Sequence, residues 1–224
     1  MPRTARVSAG DIVYHCINRS NGRVPIFHTS ADYQHFESVL EEGARLIGMR
    51  LLAYCIMPNH WHLVLFPRFD GEIGEFMRWV TTTHVRQRRA MTETIGYGSL
   101  YQGAYKSFPV ETEQYLQQLM VYVEQNPLRA RLVARSEDWR WSSLWRREKG
   151  TPEQRRLLSE LPVTLPRNYL SLVNRLPSQD QLDNIHRSVI KGTPFGSDAW
   201  MQDMVVRYHL ISTTREPGRP RRMM

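Results

Sequence analysis

The sequence predicts an α+β fold: an antiparallel four-stranded sheet with helices on one face, followed by a helical extension. Three observations predict it. Short runs rich in β-branched and aromatic residues alternate with longer runs of helical period. The second and third strand-like runs are separated only by Met57-Pro58-Asn59, a turn. After residue 135 this texture gives way to an aromatic segment and then to a proline-containing, polar-basic stretch.

Residues 11–18 form the first strand, with an Asn21-Gly22 turn after it. Phe36, Val39, Leu40 and Ile47 recur at helical spacing from Asp32 onward, and Gly48 closes that helix. Residues 50–56 and 60–67 make the hairpin around the Met57-Pro58-Asn59 turn. Ile73, Phe76, Met77, Val80 and His84 mark a second helix whose other face carries Arg78, Arg86, Arg88 and Arg89. A stretch dotted with glycines, Gly96 to Gly103, leads to a fourth strand near Tyr105–Val110. Leu116, Leu119, Met120 and Val123 supply the stripe of a third helix, which stops near Asn126-Pro127 because proline disfavours helical dihedrals in the residue before it. The order β-α-β-β-α-β plus a helix is the ferredoxin-like split βαβ arrangement.

The main domain spans residues 1–148, with 149–177 a linker, 178–211 a helical extension and 212–224 a basic tail. Ser178 opens one helix of the extension with capping-box spacing, Gly192 ends it, and Ser197 caps the next. The pair reads either as a helix-turn-helix or as a helical hairpin docked on the main domain. In the tail, Arg219 and Arg221 flank Pro220, similar to an arm that lays arginines into a narrow minor groove.

Lys and Arg total 30 against 22 Asp and Glu, a net charge of +8, and all but Lys106, Lys149 and Lys191 of the cations are arginine. Guanidinium groups fork onto phosphate oxygens and stack on bases, so the excess points to nucleic acid. Cys16 and Cys55 form no CxxC pair and read as small buried hydrophobes of a reducing compartment. With no signal-like or membrane-spanning run, the chain is expected in the cytoplasm, associated with the nucleoid. It has no phosphate-binding Gly-x-x-x-x-Gly-Lys loop, so no nucleotide cofactor is expected.

His60-Trp61-His62 carries the sharpest chemical signal. Residues two apart on a strand share a face, so both imidazoles can converge on one metal ion while Trp61 turns away. Tyr122 and Asn126 are four apart on a helix and also share a face. Tyr115, seven residues before Tyr122, lies on roughly that same face, and spacing alone leaves the choice between the two tyrosines open. Cys55, on the neighbouring strand, offers a competing Cys-His-His zinc set.

Met57-Pro58-Asn59-His60-Trp61-His62-Leu63-Val64 resembles the HUH strand of single-tyrosine transposases. The run from Val121 through Asn126-Pro127-Leu128-Arg129-Ala130-Arg131 to Val133 resembles the nucleophile helix of their REP-associated branch. The His15–Arg19 strand with Ile26-Phe27, Gln102-Gly103 before Tyr105-Lys106-Ser107, and Trp139 to Ser143 fit the same pattern. The match covers roughly residues 5–147, and Ala104 departs from it where the family often has arginine.

The resemblance implies a metal-dependent enzyme that cleaves and rejoins single-stranded or hairpin DNA through a 5′-phosphotyrosine. Tyr122 would be the nucleophile, with His60, His62 and Asn126 holding Mg²⁺ or Mn²⁺. Arg86, Arg88, Arg89, Lys106, Arg129 and Arg131, with Arg219 and Arg221 of the tail, are the expected DNA contacts. Such a protein acts as a monomer or homodimer. The competing reading is a DNA-binding regulator that has lost catalysis.

Overall fold

The computed structural model describes residues 6–93 and 98–214. Its strands are β1 (Val13–Arg19), β2 (Arg50–Met57), β3 (His60–Phe66) and β4 (Lys106–Val110). They form one sheet in the order β2-β3-β1-β4, and each neighbouring pair is antiparallel. This is the expected split βαβ sheet, with β1 and β3 at its centre.

Alternation along the strands sorts side chains between two cores. Tyr14, Cys16, Trp61, Leu63 and Leu65 point to one face, where Phe36, Val39 and Leu40 of α1 (Ser30–Ile47) meet Ile73, Phe76 and Met77 of α2 (Glu72–Met91). Thr29 caps α1 through a capping box with Asp32, and Gly48 ends the helix at φ 84°, a conformation that favours glycine. Gly43 lets the two helices touch, because a Cβ there would sit 2.8 Å from the Trp79 ring.

The crossover helices α1 and α2 share one face as expected, but the opposite face is not bare. Val13, Ala53, Cys55 and Val64 pack there against Leu116, Leu119, Met120 and Val123 of α3 (Gln114–Glu124). Gln125 keeps helical dihedrals, and α4 (Asn126–Arg129) follows at once with Pro127 in its first turn, where a missing N–H costs nothing. Helix α3 thus ends close to Asn126-Pro127 as expected, and the proline opens a separate short helix.

Among the described residues the helices that follow are α5 (Ser143–Lys149), α6 (Pro152–Arg155), α7 (Tyr169–Val173), α8 (Gln179–Lys191), α9 (Asp198–Arg207) and the short α10 (Ile211–Thr214), of which α5, α7 and α8 bury Leu144, Tyr169, Val173 and Ile185 in the second core. Segment 149–177 is more than a linker, since Leu157, Tyr169 and Val173 are buried in the two cores. Helices α8 and α9 do not form a tight helix-turn-helix. Six residues separate them, and one of these, Phe195, pairs in parallel with Val110 of β4. At the other edge, Cys55 of β2 bridges to Ser142, and the Ile56 N–H donates to the Trp141 carbonyl at 2.9 Å.

His84 lies fully buried between α1 and α2, its Nδ1 2.6 Å from the Tyr101 hydroxyl, which also accepts from Trp61 Nε1 at 3.0 Å. Burial, reinforced by His35 and Arg88, lowers its pKa from 6.5 to about 3. The unfolded chain therefore takes up a proton below pH 6.5 that the folded chain refuses until about pH 3. Stability should fall across that window, with His84 contributing up to about 1.4 kcal/mol per pH unit. Thermal melts at stepped pH should show a shallower acid slope for His84→Leu than for the wild type; equal slopes would contradict this.

Candidate functional site

Strand register builds the site from the chain outward. Trp61 faces the α1/α2 core, so His60 and His62 face α3, their ring centroids 5.0 Å apart. Antiparallel pairing of β1 with β3 places Ile17 opposite His62 and Arg19 opposite His60. On the same face, His15 Nε2 lies 2.8 Å from His62 Nδ1. His60 Nδ1 is held 2.7 Å from Asn59 Oδ1. Each of the two histidines is thus oriented through Nδ1 and keeps Nε2 for another partner, as metal-binding imidazoles do.

Burial, then Arg19 and Arg129, lowers the His60 pKa to about 4. Burial, with His60 and His15 next, holds His62 well below its ordinary value. Burial alone lowers His15 to about 3. All three rings are therefore neutral at pH 7, the form that binds a metal without first losing a proton.

Tyr122 comes from α3 on the same side. Its ring meets His62 edge-on at 5.8 Å and His15 at 6.5 Å between centroids. The Arg129 guanidinium lies 4.5 Å from the ring centroid, and the His186 ring of α8 meets the Tyr122 ring edge-on at 5.8 Å. Tyr115 goes elsewhere, its ring packing on Phe195 at 5.3 Å. Of the two tyrosines that spacing left open, the fold brings Tyr122 to the histidines.

Asn126 is buried one turn after Tyr122. Its Nδ2 donates to the carbonyls of Tyr122 and Val123 at 3.0 and 3.1 Å, which turns Oδ1 away from the helix backbone. Among the described residues no group of three or more His, Cys, Asp or Glu side chains is placed to hold a metal. The Asn126 amide oxygen is a side-chain oxygen one turn from Tyr122 that the backbone does not use. Cys55 pairs across the sheet with His62, but its Sγ lies against Met57 Sδ at 3.7 Å, and among the described residues it forms no three-ligand group with His60 and His62.

The expected DNA contacts divide into several places. Arg129 is at the site, and its Nη1 is a buried donor with no hydrogen-bond partner. Arg131 follows at φ 57° with an exposed side chain. Arg86 and Arg89 line a groove of about 860 Å³ with Arg6 and Arg78, on the α2 side of the sheet. The exposed Lys106 reaches toward the Ile190 carbonyl at 3.5 Å. Arg88 is a correction: it forms a largely buried ion pair with Asp32 that ties the end of α2 to the start of α1, so it does not offer its charge to a phosphate. Arg219 and Arg221 lie outside the described residues.

Sequence reasoning named the His15–Arg19 strand only as part of the family pattern, with no role at the site, and did not name His186. His15 and Arg19 alternate correctly on β1, but only the β1–β3 register joins them to the histidine pair. Nothing local to α8 marks His186 as a neighbour of Tyr122.

Comparison with known proteins gives the family and the fold. Residues 8–126, more than half of the chain, match the family described as Transposase IS200 like. A REP-associated tyrosine transposase, solved bound to a REP hairpin, superposes with a TM-score of 0.54 at 18% identity, covering 80% of this chain and 100% of that one. The crystal structure of a putative transposase from Deinococcus radiodurans R1 gives a TM-score of 0.39 at 19% identity, over 55% of this chain and 96% of that one. No curated protein matches the sequence. No helix among the described residues is long and apolar enough to cross a membrane. With its split βαβ sheet, its histidine pair and that family match, the chain belongs to the IS200-like transposases and has the fold of a REP-associated tyrosine transposase.

Proposed function

We propose that the protein cleaves and rejoins single-stranded or hairpin DNA of the REP type through a phosphotyrosine intermediate. The observation that carries this reading is the meeting of the Tyr122 ring with His62 at 5.8 Å beneath the Arg129 guanidinium. His60 and His62 through Nε2, with Asn126 through Oδ1, would hold a divalent cation, which when bound polarises the scissile phosphate and fixes its orientation.

The protein's own groups do the rest. The Tyr122 hydroxyl oxygen attacks phosphorus and gives up its proton, the bond from phosphorus to the 3′ oxygen breaks, and that oxygen gains a proton as a free 3′-hydroxyl. The 5′ phosphate stays esterified to the phenol. Arg129, poised over the ring with an unpartnered Nη1, can donate to a phosphate oxygen and favours negative charge as it develops on the phenol. Attack by another 3′-hydroxyl reverses the step and reseals a strand with no nucleotide consumed. His15 holds His62 in register for this work and need not touch DNA.

A hairpin oligonucleotide nicked beyond its cleavage site, incubated with Mn²⁺, should yield a covalent adduct on a denaturing gel. Proteolysis and mass spectrometry should map it to the peptide containing Tyr122, and EDTA should reduce its formation by at least about 10²-fold. An adduct formed equally in chelator would remove the metal from the mechanism. Tight hairpin binding with no adduct in any divalent cation would favour the non-catalytic regulator.

A further inference from the structure

The two imidazoles assigned to the cation differ in what fixes their protons. Asn59 donates through Nδ2 to the Arg23 carbonyl at 2.9 Å, so turning its amide over would set oxygen against oxygen. Its Oδ1 therefore faces His60 Nδ1 at 2.7 Å, and an amide oxygen can only accept. His60 must carry its proton on Nδ1, which leaves Nε2 bare for a cation.

His62 is under no such constraint. Its Nδ1 meets His15 Nε2 at 2.8 Å, and a neutral imidazole nitrogen can play either part in that bond. In one arrangement His62 Nδ1–H donates, His62 Nε2 is bare, and His15 carries its proton on Nδ1. In the other, His15 Nε2–H donates, His62 is protonated on Nε2, and His15 Nδ1 is bare. Both rings are buried, and His15 packs on Phe108 at 4.9 Å. Of the nitrogens on His15, His60 and His62, His15 Nδ1 alone is buried with no hydrogen-bond partner. The first arrangement strands an N–H there, the second only a lone pair. A buried N–H without an acceptor is the rarer of the two in folded proteins, so the second arrangement is favoured when no cation is bound.

We propose that His15 is a positioning residue whose shared proton switches His62 between a closed and a cation-ready form. The empty protein rests with His62 Nε2 protonated, and a divalent cation is held once the proton between the rings has moved to His62 Nδ1. The switch rests on the cation role given to His60 and His62 above and adds how that site is armed. The exchange balances: the His15 Nε2 proton passes to His62 Nδ1, the His62 Nε2 proton leaves to water, and His15 Nδ1 takes one from water. Both rings stay neutral throughout, and His60, held by Asn59, does not change.

NMR of the histidine ring nitrogens in the labelled full chain, without DNA, tests the switch. With no divalent cation the His62 proton should sit on Nε2, and the coupling across the His15–His62 bond should start from a His15 N–H. Mg²⁺ should move both to His62 Nδ1, with the His60 proton on Nδ1 in both states. His15→Leu should weaken Mn²⁺ binding about 10- to 100-fold, and His15→Gln, whose amide oxygen can stand where Nε2 stands, should recover most of it. His62 already protonated on Nδ1 in the empty protein would overturn the proposal, as would spectra unchanged by Mg²⁺, whether or not His15→Leu folds. So would a folded His15→Leu that binds Mn²⁺ within about threefold of the wild type. The switch in these spectra together with no adduct on any oligonucleotide would uphold the proposal and fail the cleavage reading alone.

Discussion

Tyr122→Phe is expected to lower covalent adduct formation by at least about 10⁴-fold while changing hairpin affinity by less than about threefold. The asymmetry follows from the geometry. The phenyl ring alone makes the edge contacts with His62, His15 and His186 and lies under Arg129. Removing one oxygen leaves this packing in place and takes away only the hydroxyl proposed as nucleophile. Tyr115→Phe is the matched control, because its ring packs on Phe195 and should leave adduct formation near wild type. Gel quantification of both variants against a filter-binding or anisotropy titration checks the pair. If Tyr115→Phe loses the adduct and Tyr122→Phe keeps it, the nucleophile is misassigned.

Glu124→Ala should cost about 3–5 kcal/mol of stability, enough to lower the melting temperature by roughly 10 °C. Glu124 is fully buried, one turn of helix beyond Met120, and three side chains from two helices, α5 and α7, converge on its carboxylate. Ser143 of α5 donates to Oε1 at 2.5 Å, Tyr169 of α7 donates to Oε2 at 2.7 Å, and Arg147 completes an ion pair. Alanine would leave a guanidinium and two hydroxyls without their acceptor in a site that excludes water, and that is the expensive outcome for a buried pair. Calorimetry or a denaturant melt measures the loss. A shift below about 1 kcal/mol would mean that water replaces the carboxylate and that α5 and α7 are held by packing alone.

The parts legible in the sequence were those set by local periodicity. The split βαβ order, the shared face of His60 and His62, and the four-residue step from Tyr122 to Asn126 all follow from spacing. What spacing cannot carry is pairing between distant segments. His15 joins the site only because β1 lies beside β3, and α3 reaches the histidines only because it crosses to the face opposite α1 and α2. Arg88 looks like its neighbours Arg86 and Arg89 on a basic helix, yet Asp32, 56 residues away, claims it. Residues 149–177 read as a linker because prolines and charges are interspersed among the apolar positions without a helical or strand period, yet Leu157, Tyr169 and Val173 are buried in the core and Leu158, Leu161, Val163, Leu165 and Leu170 pack against it.

The sheet edges described above bear on how the protein behaves in a crowd. Unpaired strand rims recruit other strands, and open sheets aggregate through them. Here the β2 rim is sealed by the stretch around Ser142 and the β4 rim by Phe195, whose N–H and carbonyl exchange hydrogen bonds with Pro109 and Glu111, each at 2.9 Å. The C-terminal extension thereby covers part of the β4 rim as well as packing beside Tyr122. Cutting the chain before residue 192 would free the Pro109 carbonyl and the Glu111 N–H at that rim, where a strand from another molecule could pair.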